Sequence, residues 1–322
     1  MEKLAIIGPY TQMMVDSLRK YLPEGLEARF IRGYEEYGAL EDADYIILRT
    51  LRIEKEHIAT MKRAKLIQRW GAGFDTVDIQ AAGEKGIPVA VCAGVNAQSV
   101  AELSVLMMLA VYRNLPAQMA AFAAGEDRRT ELASTSRCLE GKIVGILGMG
   151  NIGRRVAGIV RAFGAQVVYY DVCRMPEERE ADLGCRYGSV DEVLAGADIV
   201  SLHLPLLEGT RGFIRADTIA KMKNGAVLIN AARQELVVEA DLADALRSGK
   251  LMGAGLDEIA EPVAQSPFHG MPQVICTPHI GGSTVDINDT MARSCMEHIC
   301  SVRNGEALRA PVLVNGKYLP ET

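Results

Sequence analysis

One short segment restricts the possible folds more than any other. Gly148-Met149-Gly150-Asn151-Ile152-Gly153 stands between an apolar run, residues 142–147, and a helix-like stretch, residues 152–163. A glycine triplet with this spacing is weak by itself, because glycine is common. Here it has a strand–turn–helix setting, and an acidic residue, Asp171, closes the next apolar run. That is the dinucleotide-binding arrangement of a doubly wound sheet. The first glycine permits the tight turn. The second lets the backbone approach a pyrophosphate, and the third lets helix and strand pack closely. The helix N-terminus then offers free N–H groups and the positive end of its dipole to the phosphates. Asp171 would accept hydrogen bonds from the adenosine ribose and repel a 2′-phosphate, which favours NAD over NADP. Arg174 stands close by and acts in the opposite sense.

The same alternation runs along the chain. Residues 4–7, 45–48, 66–68 and 88–91 read as strands, with helical candidates such as 13–21 and 54–61 between them. From Lys142 the rhythm resumes, with strand-like runs at 143–147, 167–170, 199–202, 226–229, 253–256 and 274–276. Continuous apolar runs joined by helical crossovers indicate buried parallel strands. The expected fold class is therefore α/β, as two doubly wound parallel-sheet domains, and 322 residues suit two domains. Two long helix-like stretches, 99–112 and 285–302, would connect them. On that reading residues 1–97 and 287–322 form one domain and 98–286 the other. The tail, 310–322, would return to the first domain, whose Gly8-Pro9 lacks the dinucleotide pattern.

Composition excludes several classes of partner. Net charge is −6, whereas a broad nucleic-acid surface needs a strongly positive face. The apolar start of MEKLAIIGPY is too short for a signal peptide, and the densest later run, 104–111, is too short to cross a bilayer. No nucleic-acid or membrane partner is expected. The seven cysteines are odd in number and scattered, which fits a reducing cytoplasm without a disulfide framework. Cys295, His298 and Cys300 do not make a metal site: the first two share a helix face, the third does not, and there is no CxxC pair. No metal is expected.

The chemical candidates share a location. His203, Arg233, Asp257 and His279 all lie at or just beyond strand-like runs, where ligands of open α/β sheets bind. An arginine suits a carboxylate because its planar fork makes two parallel hydrogen bonds. A histidine exchanges protons near neutral pH, and a paired glutamate would orient it. A single arginine after a strand is more often a surface ion pair, and a histidine between Pro278 and a glycine pair is often only a turn residue. Their common placement outweighs those readings.

With these motifs in order, the chain resembles the D-isomer-specific 2-hydroxyacid dehydrogenases, which include phosphoglycerate dehydrogenase and hydroxypyruvate reductase. The likeness covers nearly the whole chain. It rests on Gly71-Ala72-Gly73-Phe74-Asp75-Thr76-Val77-Asp78, Asn96-Ala97-Gln98-Ser99-Val100-Ala101-Glu102, the glycine loop, His203-Leu204-Pro205-Leu206, Asn230-Ala231-Ala232-Arg233 and Thr277-Pro278-His279-Ile280-Gly281-Gly282. The resemblance implies a Rossmann NAD-binding domain, a flavodoxin-like substrate domain and a cleft between them. It implies NAD as cofactor, held by Gly148, Gly150, Asn151, Ile152, Gly153, Asp171, His203, Pro205, Ala231 and Asp257, the last near the nicotinamide amide. Arg233 would bind and polarise a small 2-hydroxy or 2-keto acid, His279 would be the acid/base, and Glu261 would support it. Ala72 and Gly73 would hold the substrate carboxylate through their N–H groups, an anion nest. Arg49, Arg52 and Arg69 could hold a second anionic group. Family members are commonly homodimers, so a homodimer is expected.

The sequence departs from the family at three places. Gln234 follows Arg233 where glycine is usual, which would strain an unusual backbone conformation. The segment from Asp257 to Glu261 is one residue shorter than usual. Glu261 is matched through Pro262, and Glu258 is the other candidate. The region 124–137 lacks the family's frequent tryptophan. Two rival functions remain: an NAD-sensing protein without turnover, like relatives that act as corepressors, and a formate or phosphite dehydrogenase. Little chain follows residues 311–315, which leaves no room in it for the regulatory domain many phosphoglycerate dehydrogenases carry.

Overall fold

The computed structural model describes residues 1–260 and 262–320. The chain divides into two compact units, Met1–Asn96 with Ser283–Thr322, and Ala97–Gly282.

In the first unit, strands β1 (Glu2–Ile7), β2 (Leu26–Ile31), β3 (Tyr45–Leu48), β4 (Leu66–Arg69) and β5 (Val89–Ala90) form one parallel sheet in the order β2-β1-β3-β4-β5. That is the flavodoxin-like order. Side chains alternate across a strand, so each face has its own core. Leu4, Ile6, Tyr45 and Ile47 face the helix Asn288–Arg303 through Met291, Ala292, Cys295 and Met296. Ala5, Ile7, Ile46 and Leu48 pack on the other side with Ile53, Ile58 and Ile67. The tail docks on β5: Val91 N–H donates to Val312 O at 3.0 Å, and buried Asn315 takes Val89 N–H at 2.8 Å and donates to Ile87 O at 2.9 Å.

In the second unit, β6 (Ile143–Leu147), β7 (Gln166–Tyr170), β8 (Cys185–Tyr187), β9 (Ile199–Leu202), β10 (Ala226–Asn230), β11 (Leu251–Leu256) and β12 (Val274–Cys276) form a seven-stranded parallel sheet, in the order β12-β11-β10-β9-β6-β7-β8. From β6 the chain builds outward through β7 and β8, then returns to β9 on the opposite side. The reversal between β6 and β9 is the switch point where such sheets bind ligands. The helix Ala97–Tyr112 packs against β10, β11 and the helix Asn151–Ala162.

Strands β2 and β8 add to the expected set. Both are sheet edges with half-polar sequences, LEARFI and CRY, and lack a continuous apolar run. Among the described residues no single helix is long and apolar enough to cross a membrane. The helices Ala97–Tyr112 and Leu115–Ala123 pass that test only as a pair bent by 65°.

Candidate active site

At the switch point the glycine loop is built for close approach. Gly148 has φ +99°, and a side chain there would meet the His203 carbonyl oxygen at 2.5 Å. A side chain at Gly153 would lie 2.1 Å from Gly148 O, so this glycine lets the helix Asn151–Ala162 start directly on β6. Space is open around Gly150, which caps the helix without a side-chain hydrogen bond. The N–H groups of Asn151, Ile152 and Gly153, in the first turn of the helix, are the donors that such a loop offers to a pyrophosphate.

Asp171 ends β7 beside this loop. Its Oδ2 accepts Met149 N–H at 2.7 Å and its Oδ1 accepts Cys173 N–H at 3.1 Å, which fixes the carboxylate with lone pairs to spare for ribose hydroxyls. Arg174 does not oppose it. Its guanidinium makes a two-point fork to Glu180, both contacts 2.9 Å, and lies over the Tyr187 ring. Arg174 and the Tyr169 hydroxyl pull the Glu180 carboxyl down to about 2.

His203 follows β9. Its Nε2 is 2.9 Å from Ser201 Oγ, while Nδ1 is shut off from solvent and has no partner among the described residues. Burial pushes the imidazole down to about 4, so it is neutral at pH 7. An orphaned polar atom beside the glycine loop fits a cofactor group completing the shell. Pro205 lies in the turn after it, and Pro205 O accepts the Thr210 hydroxyl at 2.7 Å.

The acid–base groups gather at the carboxyl ends of β10, β11 and β12. Asn230 closes β10 and shapes the Ala231-Ala232-Arg233 turn: its Oδ1 accepts Ala232 N–H at 3.1 Å and its Nδ2 donates to Arg233 O at 2.7 Å. Arg233 in that turn donates to Ala232 O at 2.8 Å. Glu258, just past β11, accepts Gln234 N–H at 3.2 Å on one oxygen and stands 3.3 Å from His279 Nδ1 on the other. Burial would raise this carboxyl. The hydrogen bond and charge of His279, Arg233 and the Gln234 N–H outweigh burial and hold it below the usual value. With Nδ1 turned to Glu258, Nε2 is the nitrogen left to meet a substrate oxygen. The His279 side chain is 53% exposed.

One expectation changes here, at Gln234. Gln234 opens a short 3-10 turn, and among the described residues only Asn114 and His279 combine a side chain with positive φ, so the expected strain at Gln234 is absent. Asp257 is also committed locally. Its Oδ1 takes the Thr277 hydroxyl at 2.7 Å and Ile280 N–H at 2.9 Å, and its Oδ2 takes Gly281 N–H at 2.8 Å. These bonds fix the loop that holds His279 at φ +55°, a left-handed conformation that needs such support. Glu261 lies outside the described residues. The signal for Glu258 is its place directly after Asp257, two residues beyond the end of β11.

In the first unit, the Gly71–Gly73 loop is held from beneath by Arg69, which donates to Gly73 O at 2.9 Å, to Leu48 O at 2.8 Å and to Arg49 O. Among the described residues no protein acceptor takes the N–H of Ala72 or Gly73. Arg49 donates to Pro9 O, and Arg52 pairs with Glu54 at 3.1 Å and reaches Asp75 O at 3.2 Å. These three arginines thus brace backbone, Arg69 most fully. Among the described residues no cluster of His, Cys, Asp or Glu could hold a metal ion.

Comparison with known proteins agrees with this geometry. Residues 105–281, more than half of the chain, match the family model described as D-isomer specific 2-hydroxyacid dehydrogenase, NAD binding domain. D-3-phosphoglycerate dehydrogenase of Mycobacterium tuberculosis is 36% identical over 305 residues, covering 93% of this chain and 57% of the relative. This chain thus spans little more than half the length of that relative. Hydroxypyruvate reductase of Thermotoga maritima is 35% identical over 265 residues, covering 81% of this chain and 85% of the relative. Among solved structures, a formate dehydrogenase from Granulicella superposes with a TM-score of 0.88 at 27% identity, covering 100% of both chains.

Proposed function

The chain belongs to the D-isomer-specific 2-hydroxyacid dehydrogenase family, and from that premise we propose that it interconverts a small 2-keto acid and its D-2-hydroxy acid with NAD(H). The observation that carries this reading is the pairing of His279 with Glu258 beside the Arg233 turn, at the strand ends of the NAD-binding sheet. Bound NADH supplies the hydride. Arg233 binds the substrate carboxylate and draws charge from the carbonyl. His279 delivers a proton from Nε2 to the carbonyl oxygen, and Glu258 holds the ring through Nδ1 and stabilises its charged form. In the first unit, the Ala72 and Gly73 N–H groups, which no protein acceptor takes among the described residues, make an anion nest suited to a carboxylate. The locked Arg174 leaves no free cation of its own for a 2′-phosphate, which supports NAD over NADP. We also propose a cytoplasmic homodimer, supported by the exposed Met119 and Phe122 on the helix Leu115–Ala123.

The test is NADH oxidation with glyoxylate, hydroxypyruvate, phosphohydroxypyruvate and branched-chain 2-keto acids, with NADPH as control and formate plus NAD as the reverse assay. Turnover on a keto acid that falls about a hundredfold or more in His279→Ala is expected. Turnover on formate alone would replace the substrate class, and NADH binding with no turnover on any compound would refute the enzymatic reading in favour of a sensor.

A further inference from the structure

Within the first unit, a pair of thiols lies in contact behind the Gly71–Gly73 loop. Cys92 follows β5 and Cys295 sits on the helix Asn288–Arg303. They are 203 residues apart in sequence, yet their sulfurs are 3.5 Å apart and both side chains are fully buried. The surroundings are not those of two inert apolar side chains. Gln68 Nε2 donates to Cys92 Sγ at 3.4 Å, and Gln68 Oε1 is 2.9 Å from His298 Nδ1, one turn beyond Cys295. This polar chain runs through an otherwise apolar cluster of Leu4, Ile6, Trp70, Met291 and Ile299. The two thiols also differ. The hydrogen bond from Cys295 is the largest effect on Cys92 and lowers it despite burial, whereas burial pushes Cys295 up. Cys92 Sγ, which also accepts the Gln68 amide hydrogen bond, is the sulfur placed to carry thiolate charge.

We propose that Cys92 and Cys295 form a peroxide-sensitive dithiol whose closure to a disulfide alters the substrate-carboxylate loop. A small peroxide reaches the pair during local opening of the helix. The Cys92 thiolate attacks one peroxide oxygen, an S–O bond forms, the O–O bond breaks and hydroxide leaves, giving a sulfenic acid. Cys295 sulfur then attacks Cys92 sulfur. The S–S bond forms, the S–O bond breaks, and the departing hydroxide takes the Cys295 proton as water. Both thiols are oxidised by two electrons in all, and one peroxide is reduced to two water-level oxygens. Closing from contact to a bond of about 2.05 Å draws the sulfurs together by roughly 1.5 Å. The strain passes to the loop by one short link, because Cys92 N–H donates to Gly71 O at 2.9 Å, directly before Ala72 and Gly73.

The kinetic consequence rests on the proposed role of that loop; the cross-link itself does not. The experiment treats the full chain with hydrogen peroxide, traps free thiols under denaturing conditions, and maps cross-linked peptides by mass spectrometry. A Cys92–Cys295 peptide, about 2 Da lighter than the sum of its reduced parts, is expected, reversed by dithiothreitol and absent in Cys295→Ser. Amide exchange of residues 71–73 should change on oxidation. KM for the keto acid should rise about threefold or more while NADH affinity is unchanged. Over-oxidation of Cys92 without the cross-link, or a cross-link to another cysteine, overturns the dithiol. A Cys92–Cys295 cross-link with unchanged exchange at 71–73 overturns the coupling. The cross-link and the amide exchange need no turnover, so failure of the enzymatic reading would be separate.

Discussion

Protonation of His203 should destabilise the second unit, by an amount the structure sets. Burial lowers this imidazole to about 4, against roughly 6.5 in an unfolded chain. Between those values the unfolded state binds more protons than the folded state, so stability rises with pH there. The contribution is intact above about pH 6.5 and falls as the solution is acidified toward pH 4. At about 1.4 kcal/mol per unit, the loss is roughly 1.4 kcal/mol by pH 5.5 and roughly 2.6 kcal/mol by pH 4.5. These are upper figures, because the residue as a whole is only partly buried even though Nδ1 is enclosed. The assay is urea unfolding at several pH values for the natural chain and for His203→Gln, which keeps a polar group but does not titrate. The difference between the two stabilities should shrink or reverse as pH falls. A difference that stays constant from pH 7 to 4.5 would refute the argument, since no proton would then couple to this site. Other groups titrate in the same range, which is why the difference rather than either curve is decisive.

Two substitutions probe the rest of the site. Gly153→Ala puts a methyl group 2.1 Å from Gly148 O, so it should cost about 2 kcal/mol of stability and weaken NADH binding in a fluorescence titration; a variant with unchanged affinity and unfolding midpoint would show that the loop can give. Glu258→Gln keeps the shape but removes the charge beside His279, and kcat/KM should fall about tenfold or more in steady-state kinetics, with a smaller effect from Glu261→Gln. The opposite ranking would transfer the supporting role to Glu261.

What could be read from the chain follows from where its signals are local. The continuous apolar runs of β3 and β6 announce themselves because a strand buried on both faces has few polar positions to spare. The glycine loop is equally legible, since Gly148 and Gly153 each answer a clash with a neighbour close in sequence or one strand away, and Gly150 leaves the space before the helix open. Strands β2 and β8 stay hidden because an edge strand needs only part of an apolar pattern and gains its identity from the neighbour it pairs with. Arg69 reads as a free cation and is instead a brace under three carbonyls. The Cys92–Cys295 contact is invisible in sequence because the helix Asn288–Arg303 returns to the first unit only after the whole second unit has been threaded.

The carboxylate beside His279 shows how fold and sequence divide the task. Parallel strands bring the ends of β10, β11 and β12 together whatever the loops contain, and Asp257 then ties the β12 loop by three hydrogen bonds so that His279 is fixed from behind. What remains open is only which side chain arrives at Nδ1. Glu258 can arrive because it stands immediately after Asp257 and because the Gln234 N–H, from the β10 turn, catches its second oxygen. A glycine at 234 would offer the same N–H, so the departure at that position leaves this contact to Glu258 in place. The geometry on this side of the ring is a backbone donor, Gln234 N–H, and a carboxylate, Glu258, meeting beside His279 Nδ1.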